Sequence, residues 1–278
     1  MKSPSKADLI EHIVKSLIKN KTKAQRQFMN GSGLQYFIID NLLPSKWCQE
    51  INRSFPETSK MMLKKSLRED KFVGVQLEKY KTLIEEILYA FQNKTVISHI
   101  EEICGLKALV ADEYLYAGGI SSMKRGQFLK PHLDNSHDKD RNRWRVLNLL
   151  YYTTPDWKLE FGGNLEVWPK GLKSTRETVV SKFNRLVVMA TDQKSWHSVS
   201  PVLINSTRNC VSNYYFSDIP IKSSDTFHVT LFRAWPHQKL SNMVLKLDGS
   251  LRMAIRRLFP KGIVKNPHVY NKKTSDKN

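Results

Sequence analysis

The chain has 278 residues, 40% of them hydrophobic, and 45 Lys+Arg stand against 26 Asp+Glu for a formal charge of +19. That is enough for one large domain with a sizeable core, alone or with extensions. Three cysteines (Cys48, Cys104 and Cys210) with no C-x-x-C pair argue against a disulfide framework or a zinc site and for a reducing, cytoplasmic setting. No apolar run approaches the roughly 20 residues needed to span a bilayer. The opening M-K-S-P-S-K-A-D is broken by charge, so no signal-peptide core is expected there.

In chain order, the first expected element is a helix. Leu9, Ile10, Ile13, Val14, Leu17 and Ile18 repeat at helical spacing, and Ser5 with Asp8 reads as a capping box. Residues 1–30 are expected to be a basic amphipathic extension. Strand signals dominate further on. Residues 126–135 (G-Q-F-L-K-P-H-L-D-N) run strand-like into a histidine, and 145–153 read as a buried strand. Residues 155–171 give a turn, a Gly-Gly break and a strand ending at Pro-Lys-Gly. Residues 184–190, 196–202 and 208–217 are further strands. Short strands separated by turns point to a sandwich or barrel, not to a parallel sheet with crossover helices.

The tail is again helical. Leu240, Val244, Leu247, Leu251, Ile255 and Leu258 form an apolar row with Lys239, Lys246, Arg252, Arg256 and Arg257 interleaved. Gly249 is expected to break this stretch into two helices, and Pro260 to help end the second. The charge excess follows the flanks: residues 1–30 carry +5, 31–218 carry +5 and 219–278 carry +9. One reading packs both flanking helices on the core behind a solvated basic face. The sharper reading is a basic amphipathic surface that meets an anionic membrane or an acidic substrate. Nucleic acid has the charge signal but no recognised binding motif.

The chemistry-bearing residues lie between the flanks. His132 and Asp134 are two apart, so on a strand they share a face. His197 follows inside S-W-H-S-V-S-P-V. Two imidazoles and a carboxylate on one face of iron(II) leave open positions for a co-substrate and oxygen, the facial triad of non-haem iron oxygenases. H-x-D alone is a weak signal, and the strand-rich company around it strengthens it. His137, His228 and His237 read as ordinary core or surface residues.

Residues from about 35 to 218 resemble the prolyl-4-hydroxylase-like branch of the iron(II)/2-oxoglutarate dioxygenases, including hypoxia-type and bacterial members. The resemblance rests on H-L-D-N, L-L-Y-Y-T-T-P-D-W, G-G-N-L-E-V-W-P-K-G, W-H-S-V-S-P-V and T-R-N-C-V-S-N-Y-Y-F-S-D, with Y-F-I-I-D-N-L-L-P-S-K-W-C-Q-E-I similar to the opening strand and helix. It implies an α+β, mainly β fold: a double-stranded β-helix, or jelly roll, at 31–218, with supporting helices and helical extensions at 1–30 and 219–278. It implies iron(II) held by His132, Asp134 and His197, with 2-oxoglutarate and oxygen as co-substrates and ascorbate as reductant. Arg208, 11 residues after His197, would grip the distal carboxylate of 2-oxoglutarate with two parallel hydrogen bonds. Tyr152 would bond the same carboxylate, and Asn148, on the same strand face, would line the pocket.

Two positions depart from the pattern: Met123 stands about where a Tyr is expected, and Asn164 where many members have Glu. The activity implied is hydroxylation of an unactivated C–H bond, coupled to decarboxylation of 2-oxoglutarate to succinate. In related halogenases a small residue replaces the carboxylate, so Asp134 favours hydroxylation. Candidate substrates are peptidyl proline, an amino acid or another anionic small molecule or glycolipid. Lys124, Arg125 and Lys130 are expected near the pocket mouth, with Trp144 and Arg145 at its entrance. A non-catalytic jelly-roll binding module and a cupin-like metal protein independent of 2-oxoglutarate are the alternatives.

Overall fold

The computed structural model describes residues 3–31 and 33–259. It opens with helix α1 (Lys6–Met29), strand β1 (Tyr36–Asp40) and α2 (Ser45–Ser54). A hairpin, β2 (Met62–Lys65) and β3 (Glu69–Gly74), precedes α3 (Thr82–Phe91) and α4 (Lys94–Cys104). Next come β4 (Val110–Ala111), β5 (Gly119–Met123), β6 (Phe128–Leu133), β7 (Trp144–Tyr152), β8 (Leu165–Val167) and β9 (Glu177–Val179). The last elements are β10 (Arg185–Ala190), β11 (His197–Val199), β12 (Arg208–Ser217), β13 (Leu231–Phe232) and α5 (Lys239–Leu258).

Every strand pairing is antiparallel, in the order β1-β10-β7-β12-β5-β3-β6-β11-β8-β9. β13 adds to β6, β2 to β3 and β4 to β12. The sheet curls into the jelly roll the sequence implied. The larger half, β1, β10, β7, β12 and β5, is backed by helices. β3 joins it to the smaller half around β6, β11 and β8.

The backing helices form because their apolar positions recur at one face and the sheet covers that face. Ser5 accepts the Asp8 amide and Asp8 accepts the Ser5 amide, so the expected capping box is present. Leu9, Ile13 and Leu17 of α1 are fully buried with Ile84, Ile87 and Leu88 of α3 and Ile100 of α4. β7 shows the period-two rule. Leu147, Leu149 and Tyr151 join that helix-side core, while Asn148 and Leu150 face the cavity. A one-residue slip of β7 would exchange these two faces, so the alternation fixes its register.

The C-terminal part differs from expectation. α5 runs unbroken through Gly249, which is buried; a Cβ there would meet Leu231 at 3.4 Å. That is ordinary van der Waals contact, so glycine is tolerated here rather than required, and one glycine costs only about 1 kcal/mol in helix propensity, too little to break the helix. The expected apolar row also points the wrong way for a packed helix. Leu245 and Gly249 face the protein, whereas Leu240, Val244, Leu247, Leu251 and Leu258 are exposed. Pro260 lies outside the described residues. Among the described residues, no helix is long and apolar enough to cross a membrane.

Candidate active site

β6 and β11 are adjacent and in register, so His132 stands directly opposite His197. Their ring centroids are 4.1 Å apart. Asp134 lies one residue beyond β6 rather than within it, yet its carboxylate still turns to both rings. Its Oδ1 is 3.5 Å from Nε2 of His132, and its Oδ2 is 3.8 Å from Nε2 of His197. All three ligand-type atoms fall within 4.8 Å of one another, and all three residues are buried. No other cluster of this kind occurs among the described residues.

The two rings are oriented by backbone. Nδ1 of His132 lies 2.9 Å from the Lys130 carbonyl, and Nδ1 of His197 lies 2.8 Å from the Ser195 carbonyl. A carbonyl can only accept, so Nδ1 carries the proton and Nε2 presents its lone pair. Phe232 stacks on His132 at 5.2 Å and fixes that ring further. Burial opposes ionisation of Asp134. Its contact with the His132 ring, the neighbouring His197 and the charge of Arg145 outweigh burial and hold the carboxyl well below the usual range. Burial, and then the neighbouring His132 charge, push His197 down to about 4. Oδ2 of Asp134 is buried with no hydrogen-bond partner. A dry carboxylate oxygen and two bare imidazole nitrogens on one point are a donor set that suits a divalent metal.

Arg208 begins β12 and is 3% exposed, so it is no surface ion pair. Its Nε donates to Ser181 at 3.2 Å, and its Nη1 lies 3.6 Å from Sδ of Met123. Its guanidinium sits 5.0 Å from the Tyr152 ring centroid. It forms no ion pair among the described residues. A buried, uncompensated guanidinium is costly, and an incoming carboxylate removes that cost with two charge-assisted bonds. The Gly-Gly break makes the room. At Gly163 (φ +63) a Cβ would meet Val202 at 2.9 Å and Cδ of Arg208 at 3.1 Å; at Gly162 (φ +68) it would meet the Pro201 carbonyl at 2.0 Å. Asn164 is structural: it donates to the Leu159 carbonyl and accepts the amide of Ser181, the residue that holds Arg208.

Tyr152 is fully buried within a small core around Leu165, Val187 and Cys210 rather than on the cavity wall. Its hydroxyl makes no well-formed hydrogen bond; Arg208 and Ser181 are its polar neighbours. Burial, only partly offset by Arg208, pushes it up to about 12. Asn148 does line the cavity, donates to Tyr214 at 3.0 Å and keeps an unpaired Oδ1.

His132, Asp134, His197, Arg208 and Asn148 open onto one cavity of about 660 Å³. Its wall is basic, but not where the sequence suggested. Lys124 lies over the Phe72 ring, Arg125 reaches Asn205, and Lys130 is buried with its Nζ on Gln238. None of the three lines the cavity. The wall cations are Lys64, Arg68, Lys71, Lys139, Arg252 and Arg256, brought there by the β2–β3 hairpin, a loop and α5. Sequence reading had no signal for most of them, because the two elements that face each other lie about 180 residues apart. Arg145 is also on the wall, with Nη1 3.6 Å from Asp134 and its guanidinium 4.5 Å from the Tyr214 ring; its Nε has no partner. Trp144 packs against the helix-side core instead.

The comparisons agree with this geometry. Residues 118–216, from the start of β5 almost to the end of β12, match the model of the 2OG-Fe(II) oxygenase superfamily. The chain carries a 2OG-Fe(II) oxygenase domain. It is an iron(II)- and 2-oxoglutarate-dependent dioxygenase, and the matched segment contains His132, Asp134, Asn148, Tyr152, His197 and Arg208. Among solved structures, the oxygenase shares its fold with a prolyl hydroxylase from Trichoplax adhaerens in complex with a hypoxia inducible factor peptide fragment. The TM-score is 0.51 at 19% identity, over 72% of this chain and 91% of that one. A prolyl-4-hydroxylase from Pseudomonas putida gives 0.51 at 16% identity, over 69% and 98%. A prolyl 4-hydroxylase from Phytophthora capsici gives 0.55 at 17% identity, over 94% and 80%. No curated protein sequence matches the chain.

Proposed function

We propose that His132, Asp134 and His197 hold the iron, that Arg208 grips the distal carboxylate of 2-oxoglutarate, and that the enzyme hydroxylates an unactivated C–H bond of an anionic substrate. The observation that carries this is the pairing of an unsatisfied triad with a buried, unpaired guanidinium across one cavity. When bound, iron(II) and 2-oxoglutarate would activate O₂, the oxidant, one oxygen atom going to succinate and the other to the substrate, with carbon dioxide released.

The residues of this chain do the positioning. The Lys130 and Ser195 carbonyls hold both imidazoles with Nε2 forward. Ser181 and Met123 hold the guanidinium of Arg208, with the Tyr152 ring beside it. Asn148 holds Tyr214, and Tyr214 packs under Arg145 beside Asp134. A retained carboxylate at Asp134 leaves no vacancy on that side for a halide, which favours hydroxylation.

The substrate class rests on the wall. It presents eight basic side chains against three acidic ones. Lys71 pairs with Glu69 and Lys139 with Asp140, but Lys64 and Arg256 have no carboxylate partner among the described residues. Burial and then the charge of Lys71 lower the affinity of Lys64 for its proton, and Glu69 offsets them only in part. A phosphorylated or carboxylated substrate fits that wall better than a neutral peptide does.

Anaerobic titration with iron(II) and 2-oxoglutarate, followed by the visible metal-to-ligand charge-transfer band, tests the site. The band should appear in the native protein and weaken in Arg208→Ala. Iron binding without a band would remove 2-oxoglutarate from the proposed centre.

A further inference from the structure

α5 is amphipathic in an unusual sense, because its apolar row faces away from the protein. At 100° per residue, Leu240, Leu247, Leu251 and Leu258 lie within roughly 40° of one another. They are 79%, 67%, 62% and 76% exposed. Leu245 and Gly249, on the opposite side, are buried against β13. Soluble monomers seldom leave such a row open, so something covers it.

Charge selects among the possible covers. α5 carries Lys239, Lys246, Arg252, Arg256 and Arg257 against a single acid, Asp248. That acid is already held by Arg68 and Arg252. A second copy would set one basic helix against another, and the repulsion opposes that pairing. An anionic bilayer takes both features at once: the leucines enter the headgroup–acyl boundary and the exposed Lys239, Lys246 and Arg257, which flank the row, meet lipid phosphates. Placement adds a third argument. Arg252 and Arg256, on the inner side of the same helix, line the active-site cavity. Docking α5 would bring the wall of that cavity to the lipid surface.

We infer that α5 is a docking helix for anionic membrane surfaces, with Leu240, Val244, Leu247, Leu251 and Leu258 as the inserted face. The inference stands on surface geometry and does not depend on the chemistry assigned to the triad.

The test is co-sedimentation of the full chain with vesicles of phosphatidylcholine alone or mixed with phosphatidylglycerol. The native protein should pellet with the mixed vesicles and stay in solution with the neutral ones. Leu247→Glu/Leu251→Glu should lose binding at least about tenfold, because two inserted apolar groups become charged. Lys246→Gln/Arg257→Gln should weaken it and flatten its salt dependence. Both pairs sit on the helix surface, so unchanged melting temperature and unchanged succinate formation would show that the fold and site are intact. Failure of the native protein to pellet, or equal pelleting of the leucine variant, would overturn the inference. So would a native dimer by light scattering that the leucine variant abolishes, which would assign the row to a second copy.

Discussion

The two sides of the barrel are built on different terms. On the helix-backed side, Leu9, Ile13 and Leu17 of α1 are fully buried where the helix packs on α3, α4 and β1. The buried Asn184 there is fully paired: it accepts from the Tyr151 hydroxyl and the Leu43 amide and donates to the Leu43 carbonyl. On the open side, Asp134, His137, Arg145, Asn148 and Tyr152 each keep a buried polar atom without a partner, and α5 shows its leucines to solvent. One side holds the stability and the other holds groups that await ligands, which costs stability and is typical of functional sites.

The sharpest way to break this contrast is a matched pair of charge insertions. Leu17→Asp buries an unpaired carboxylate in the backed core and should cost about 4 kcal/mol or more, enough to unfold much of the protein. Leu247→Asp on α5 should stay within about 0.5 kcal/mol in denaturant melts. Equal losses would mean that α5 is as buried as α1.

Next in size is the loss of chemistry without loss of fold. His132→Ala and Asp134→Ala should abolish succinate formation while the melting temperature moves by only a few degrees. Turnover retained in either variant would remove that residue from the centre.

Arg208→Gln should raise the half-saturating 2-oxoglutarate concentration. Losing charge-assisted hydrogen bonds costs about 2–3 kcal/mol, or roughly 30- to 150-fold. The triad should still take up iron, which separates the co-substrate grip from the metal site.

The smallest effect concerns acid. Burial, then the charges of Arg145 and Arg256, push His137 down to about 3. Between that value and its ordinary 6.5, the unfolded chain binds a proton the folded chain refuses, so stability rises with pH across this window and is lost as pH falls through it. By pH 5 the loss from this group is roughly 2 kcal/mol. His137→Gln should flatten the dependence of melting temperature on pH between 7 and 5. An unchanged slope would place the acid sensitivity elsewhere.

The strands around the site were legible because each carries its own pattern. Residues 145–153, 184–190 and 208–217 alternate or run apolar between turn signals, and β7, β10 and β12 fall on them within a residue or two. Asp134 was misplaced by one position: a strand end is set by where its partner stops bonding, which the H-x-D spacing does not encode. The basic cavity wall was not legible. Lys64, Lys71 and Arg256 are unremarkable in sequence, and the charges that were expected at the mouth, Lys124, Arg125 and Lys130, point elsewhere.

The sequence by itself determined a sandwich or barrel of short strands, which the family resemblance narrowed to a jelly roll, together with the triad residue types and the amphipathic flanks, because these follow from local period and from the donor chemistry a metal requires. Only the tertiary structure decided that His132 faces His197, that Arg208 is dry and unpaired, and which way each apolar row points. A helix period says that one face is apolar; it does not say what stands opposite. For α1 that is a β-sheet and two helices, and for α5 Leu245 and Gly249 took the core-facing side, leaving the leucine row outside.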